Sequence, residues 1–207
     1  MSLMLALCKD LIYWDEQLKA GNWQSRFETR TRDFDGATVG IVGFGRIGQV
    51  LATMLEPFQC TIVAHDPYVE TSAAEELGTE LVSLEQLFER SDFISVHAVV
   101  TDETRGLINR PLLGRLKQGC YLVNMARGEL VESLDLLEEA MADGRLAGVG
   151  LDVFSPEPPD VSHPIFKRAN CLTSPHSLGV TFRSTEKIFG SMARDMAAIF
   201  RGEQPQF

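Results

Sequence analysis

The chain has 207 residues, 44% of them hydrophobic, and carries a formal net charge of -10 at pH 7. That size suits one large or two small globular domains with a full apolar core. The acidic balance excludes the broad basic face that nucleic-acid backbones require. The cysteines at 8, 60, 120 and 171 are far apart and form no C-x-x-C pair, so no metal site and no disulfide framework are expected, and reduced thiols in a cytoplasmic protein are the simplest reading. No run approaches the ~18 apolar residues of a membrane span. The apolar start Met1-Ser2-Leu3-Met4-Leu5-Ala6-Leu7-Cys8 is interrupted by Lys9-Asp10 and lacks a basic leader, so it reads as an amphipathic helix and not as a signal peptide.

Apolar positions at helical spacing over 3–20 predict one helix that stops at Ala20-Gly21-Asn22, with a polar arm from Trp23 to Asp35 behind it. Short apolar runs then fall at 38–42, 61–65, 93–97, 121–124, 148–153 and 171–174. Helical candidates separate most of them, at 46–55, 73–77, 84–89, 110–116 and 132–142, with a last one at 183–200. Strands that are apolar throughout and alternate with helices describe a parallel sheet covered on both faces. Right-handed crossovers make it an α/β doubly wound fold. The Pro-rich stretch 155–164 reads as one loop inside the domain, so residues 1–22 are expected to form a connecting helix and 23–207 one domain.

The segment Val39-Gly40-Ile41-Val42-Gly43-Phe44-Gly45-Arg46-Ile47-Gly48 places G-x-G-x-x-G after an apolar strand and at the head of a helix. Gly43 permits the tight turn, Gly45 lets a pyrophosphate approach the backbone, and Gly48 lets helix and strand pack closely. Arg46 and Ile47 open the helix, whose first N–H groups and dipole favour an anion. The second run ends at Asp66, 18 residues beyond Gly48 and near the ~20 expected for a carboxylate that binds the ribose hydroxyls and repels a 2′-phosphate. The cofactor expected is therefore NAD.

In open α/β sheets the chemistry lies beyond the C-terminal ends of the strands. Three runs end there in Asn124-Met125-Ala126-Arg127-Gly128, in Asp152-Val153-Phe154-Ser155-Pro156-Glu157-Pro158, and in Ser174-Pro175-His176-Ser177-Leu178-Gly179. Together with the glycine motif these resemble the NAD-binding domain of the D-2-hydroxyacid dehydrogenase family over nearly the whole chain. The resemblance implies an oxidoreductase that moves a hydride between NAD(H) and a D-2-hydroxy acid/2-oxo acid pair. It implies that Arg127 holds the substrate carboxylate, that His176 is the acid/base, and that Glu157 pairs with it. Met125, Ala126, Arg127 and Asp152, with His176 and Gly179, would line the nicotinamide side of the cofactor. These roles are chemically apt. Hydride transfer needs a proton at the same oxygen, histidine titrates near neutrality, and a neighbouring carboxylate favours imidazolium. An arginine fork suits a planar carboxylate. His97 is the first alternative proton donor, and His163 reads as packing.

The sequence departs from the family in two places: His97-Ala98-Val99-Val100-Thr101 replaces the usual proline after the fourth strand, and Ser174-Pro175-His176-Ser177-Leu178-Gly179 varies the usual Thr-Pro-His motif. The family's substrate-binding domain, built mostly from residues before the first helix, is expected to be absent, so cofactor binding with little turnover is expected. Other readings are an NAD-sensing module like the corepressors that share this fold, or an inactive NAD-binding fragment. The resemblance also implies a homodimer, as do the apolar residues Leu3, Met4, Leu7, Leu11, Ile12 and Trp14 of the first helix.

Overall fold

The apolar runs form parallel strands, together with one strand that the sequence pattern does not reveal. The structure is a computed structural model that describes residues 1–205. In chain order the elements are α1 (Ser2–Cys8), α2 (Leu11–Lys19), β1 (Thr38–Val42), α3 (Arg46–Leu55), β2 (Thr61–His65), α4 (Thr71–Glu75), β3 (Thr79–Leu81), α5 (Leu84–Arg90), β4 (Phe93–Val96), α6 (Arg110–Leu113), β5 (Cys120–Asn124), α7 (Leu134–Ala142), β6 (Leu146–Leu151), β7 (Cys171–Thr173) and α8 (Phe182–Phe200). The strands form one sheet in the order β3-β2-β1-β4-β5-β6-β7, and every pairing is parallel. This is a doubly wound Rossmann-type sheet whose order reverses between β1 and β4.

The register aligns the strand ends. His65 pairs with Val42, Val42 with Val96, Val96 with Asn124, and Asn124 with Leu151. The residues that follow those ends, Gly43, Asp66, His97, Met125 and Asp152, therefore emerge along one edge. Alternate strand residues feed two apolar layers. Val42, Ile94, Val96 and Leu122 join Leu87, Leu113 and Leu137 on one face. Val39, Ile41, Phe93 and Val123 join Leu51, Leu55 and α1 on the other, where Phe34, Phe93 and Tyr121 stack with centroids 4.4 and 5.1 Å apart.

Four expectations change. The single helix over 3–20 is two helices, because Asp10 takes a left-handed conformation at φ 48°, which Asp tolerates better than most residues. The Asp10 carboxylate accepts from Arg30 Nε at 2.7 Å, tying the break to the arm behind it. The polar arm itself contains a 3-10 turn over Trp23–Phe27. The added strand, β3, has only three residues, Thr-Glu-Leu, at the sheet's edge. The helix expected over 132–142 starts at Leu134, because Ser133 Oγ accepts from Leu136 N and caps it there.

The chain divides into two compact units, one over Met1–Thr173 and one from Ser174 onward. The first holds the sheet and α1 to α7. The second is built on α8, which opens with a capping box between Thr181 and Ser184 and buries none of its residues.

Within the first unit the apolar residues of the N-terminal segment separate into two groups. Leu3, Met4, Leu7 and Cys8 of α1 are buried on their own sheet, whereas Leu11 is 52% exposed and α2 buries nothing. Met4→Ala is accordingly expected to destabilise the chain by about 2–5 kcal/mol. Leu11→Ala should stay within roughly 0.5 kcal/mol. Urea unfolding of both variants checks this, and equal losses would show that α1 is not part of the core.

Candidate active site

The glycine loop sits where the sheet order reverses, and each glycine meets a different surrounding. Gly43 has φ +90°, and a Cβ on it would lie 2.5 Å from Ala98 N. The turn therefore needs glycine both for its backbone angle and for the approach to the segment after β4. A Cβ on Gly48 would lie 2.4 Å from the Gly43 carbonyl oxygen, so α3 rests directly on the loop. At Gly45 no atom beyond its chain neighbours comes within 4 Å of a Cβ position, and α3 begins there without a side-chain cap. Exposed Arg46 and Ile47 flank this opening. Open space over uncapped helix N–H groups is what a pyrophosphate requires, so the residues present fit the dinucleotide.

Asp66 lies beside this loop. Its Oδ2 accepts from Phe44 N at 2.8 Å and its Oδ1 from Tyr68 N at 2.9 Å. An ionised carboxylate can accept about four hydrogen bonds, so these two hold it in place and leave capacity for a ribose diol. The Phe44 amide is part of this arrangement and has no sequence signal, because any residue type supplies an N–H.

The β5 and β6 loops lie next to each other. Arg127 is exposed, and its guanidinium donates to Ala126 O at 2.7 Å. Met125 and Ala126 are half-buried between it and β5, and Asp152 is buried at the end of β6. Asn124, fully buried, accepts from Ala126 N through Oδ1 at 3.0 Å and donates through Nδ2 to Arg127 O at 2.8 Å. A Cβ on Gly128 would stand 2.0 Å from the Phe154 carbonyl carbon. Glu157 is exposed, and its Oε1 accepts from Phe154 N at 3.0 Å. The structure thus brings the Arg127 and Glu157 loops into backbone contact. The roles of Asn124 and Gly128 escape a sequence reading, although a carboxamide ending an apolar strand was a usable signal.

In the second unit His176 is exposed and has a left-handed backbone at φ 52°, a region that histidine enters more readily than most residues. Gly179, three residues on, is also exposed, with open space around a Cβ position.

The other histidines are held structurally. His65 Nδ1 lies 3.0 Å from Val82 O. His163 Nε2 contacts Asp135 at 3.0 Å, and its Nδ1 accepts from Ile165 N, a packing role as expected. His97 Nε2 lies 2.9 Å from Ser95 Oγ, and burial, with the positive amino terminus second, pulls its pKa down to about 4. A histidine kept neutral at pH 7 is a poor reserve acid. The stretch without the family's proline is braced by threonines, with Thr104 Oγ1 donating to Val99 O at 2.7 Å.

A glycine loop at the reversal point, a carboxylate fixed beside it, and an arginine on the neighbouring edge define a dinucleotide-binding Rossmann domain. The chain belongs to the D-isomer specific 2-hydroxyacid dehydrogenase family, whose NAD binding domain matches residues 1–177. It is similar to D-3-phosphoglycerate dehydrogenase of Mycobacterium tuberculosis, at 38% identity over 203 residues, covering 98% of this chain and 38% of that one. It is also similar to glyoxylate reductase of Korarchaeum cryptofilum, at 34% identity, covering 99% of this chain and 62% of the reductase. Among solved structures, Aquifex aeolicus D-lactate dehydrogenase in complex with NAD and lactic acid aligns with a TM-score of 0.88 at 29% identity, covering 98% of this chain and 65% of that one. The chain thus spans between about two-fifths and two-thirds of these relatives.

His97 generates a stability prediction. It is neutral when folded down to pH about 4 and protonates near 6.5 when unfolded. The unfolded state therefore binds more protons between those values, and stability falls as pH drops through that window, by up to roughly 3 kcal/mol. His97→Gln is expected to flatten that slope in urea unfolding at pH 4.5 to 7. An unchanged slope would assign the acid sensitivity to other groups.

Proposed function

We propose that this domain binds NAD(H) in preference to NADP(H), and that Arg127, Glu157 and His176 serve hydride transfer between a D-2-hydroxy acid and its 2-oxo acid. The observation that carries the cofactor preference is the Asp66 carboxylate, fixed against the glycine loop by the Phe44 amide. A 2′-phosphate would meet that charge, whereas a 2′-hydroxyl would donate to it. When bound, the nicotinamide supplies the hydride acceptor or donor.

The side chains do the rest of the work. Arg127 receives the substrate carboxylate through its planar fork, which orients the substrate and draws electron density from the adjacent carbonyl. His176 gives a proton to the carbonyl oxygen during reduction and takes it back during oxidation. Glu157 is its carboxylate partner, held by the Phe154 amide. Asp152, the 125–127 turn and Gly179 are the residues assigned to the nicotinamide end of the cofactor. The names of the relatives, a phosphoglycerate dehydrogenase, a glyoxylate reductase and a lactate dehydrogenase, support a small 2-hydroxy or 2-oxo acid as substrate.

A cytoplasmic setting suits such an enzyme, and among the described residues no helix is long and apolar enough to cross a membrane. We further propose a homodimer, with the connecting segment 1–22 contributing contacts. Its support is now α2 and the turn behind it, where Leu11, Ile12, Leu18, Trp23 and Phe27 are exposed. Light scattering at micromolar concentration distinguishes dimer from monomer.

Fluorescence titration tests the cofactor preference. NADH is expected to bind at least about tenfold more tightly than NADPH, or ~1.4 kcal/mol, with Asp66→Ala narrowing the gap. Equal affinities for the two would count against the role of Asp66. NADH oxidation with glyoxylate, hydroxypyruvate and pyruvate tests the chemistry. In a full-length enzyme that also carries a substrate-binding domain, His176→Ala is expected to lower kcat by about 10²–10⁴ with NADH affinity nearly intact, and Glu157→Gln to change the pH profile. This chain alone is expected to bind NADH with little turnover. If the full-length enzyme reduces none of these substrates, the domain serves as a cofactor-binding module alone.

A further inference from the structure

The Arg127 loop is held by groups to which neither the sequence nor the family match gives a task. Asn124 ends β5 with its side chain fully buried, and both ends of its carboxamide bond to the turn that follows. Oδ1 accepts from Ala126 N and Nδ2 donates to Arg127 O. The turn's backbone needs one acceptor and one donor at that point, and both come from one planar group. Aspartate could accept but not donate while ionised, leucine would leave the Ala126 amide without this acceptor and Arg127 O with only the long 3.4 Å bond from Leu130 N, and serine is too short to span them. The backbone carbonyl of Asn124 in turn accepts from Asp152 N at 3.1 Å, which binds the same residue to the end of β6.

Gly128 supplies the second connection. A Cβ there would stand 2.0 Å from the carbonyl carbon of Phe154, 2.1 Å from its oxygen and 2.5 Å from Ser155 N. These are backbone atoms, so a side chain could be admitted only by moving one loop away from the other. Phe154 is also the residue whose amide donates to Glu157. A displacement at Gly128 therefore reaches Arg127, one residue before it, and Glu157, through the Phe154 amide.

We infer that Asn124 and Gly128 are positioning residues for the reaction: Asn124 sets the turn that presents Arg127, and Gly128 keeps that turn in register with the loop that carries Glu157. The inference rests on the assignment of Arg127 to the substrate carboxylate. It adds that the guanidinium, exposed and on a flexible stem, owes its placement to a buried carboxamide and a backbone contact behind it.

The test uses the full chain with three variants, Asn124→Ala, Gly128→Ala and Leu87→Ala. The last is a core truncation in α5 that reports simple loss of stability. Amide hydrogen exchange is read over residues 126–130, and oxalate, a probe with paired carboxylates, is titrated against the NADH-saturated chain. Asn124→Ala is expected to speed exchange in that turn at least tenfold beyond Leu87→Ala. It should also weaken oxalate at least tenfold while NADH affinity stays within about twofold. Gly128→Ala tests the register separately and is expected to weaken oxalate while the Ala126 amide stays protected. A turn that exchanges no faster in Asn124→Ala than in Leu87→Ala overturns the role of Asn124, and unchanged oxalate binding in Gly128→Ala overturns that of Gly128. A loosened turn with unchanged oxalate affinity, or a wild-type chain that does not bind oxalate, overturns the assignment of Arg127 and the positioning role with it.

Discussion

The site depends first on the contact of Gly43 with the backbone of His97 and Ala98. β1 and β4 are neighbours whose connections leave in opposite directions, which opens a crevice at their C-terminal ends. The loop leaving β1 has to turn sharply and still lie against the segment leaving β4. Glycine meets both demands, since its φ of +90° is ruinous for most residues and its missing Cβ leaves the space that Ala98 occupies. With that turn set, α3 points its N-terminus over the crevice and the Phe44 amide faces Asp66. Neither feature survives a displaced loop.

The same device recurs along this edge. Gly48 lies against the Gly43 carbonyl, and Gly128 against Phe154 and Ser155. Each contact joins backbone to backbone, without a side chain that could rotate to absorb an error. Such contacts transmit displacement, because close-packed interiors give way by shifting whole segments. Arg127 and Glu157 have the opposite character: both are exposed and lie on loops. Glycines and a buried polar anchor thus form a close-packed layer beneath exposed charged side chains on this edge.

How much of this is legible in the sequence follows from how local each cause is. The β1-α3-β2 unit can be read to the residue, because its strands are apolar on both faces and glycines punctuate its turn. The N-terminal helix was read as continuous because its apolar spacing carries across Lys9-Asp10. It breaks at the left-handed backbone of Asp10, whose carboxylate is tied to Arg30, twenty residues away. β3 was missed because three residues at a sheet edge need no apolar pattern. The motifs single out Gly43, Asp66, Arg127, Glu157 and His176 as candidates, since residue type alone carries the chemistry expected of them. The support does not show. Asn124 looks like the polar end of a strand until its carboxamide is seen on the next turn, and Gly128 is explained only by Phe154, 26 residues later. His97, the alternative proton donor, is held neutral at pH 7 in the folded chain by burial, with its pKa lowered to about 4.

A chain with a net charge of -10 whose family binds NAD poses an electrostatic problem, on which the placement of its cations bears. Many basic side chains are engaged with acids away from the edge, among them Arg90 with Glu80, Arg110 with Glu139, Arg145 with Asp143 and Arg168 with Glu138. Arg46 and Arg127 instead stand exposed, one at the head of α3 and the other on the β5 loop. At physiological ionic strength exposed charges are largely screened beyond about 8 Å. The distant acidic surface therefore acts weakly on an anion in the crevice, while an uncapped helix terminus and a guanidinium at contact distance act strongly. Asp66 is the deliberate exception, a negative charge fixed close to the pyrophosphate loop. Its position is tolerable because the Phe44 and Tyr68 amides neutralise part of its field. The same short range keeps the global charge from dominating at the glycine loop while leaving the fixed Asp66 carboxylate effective at close quarters.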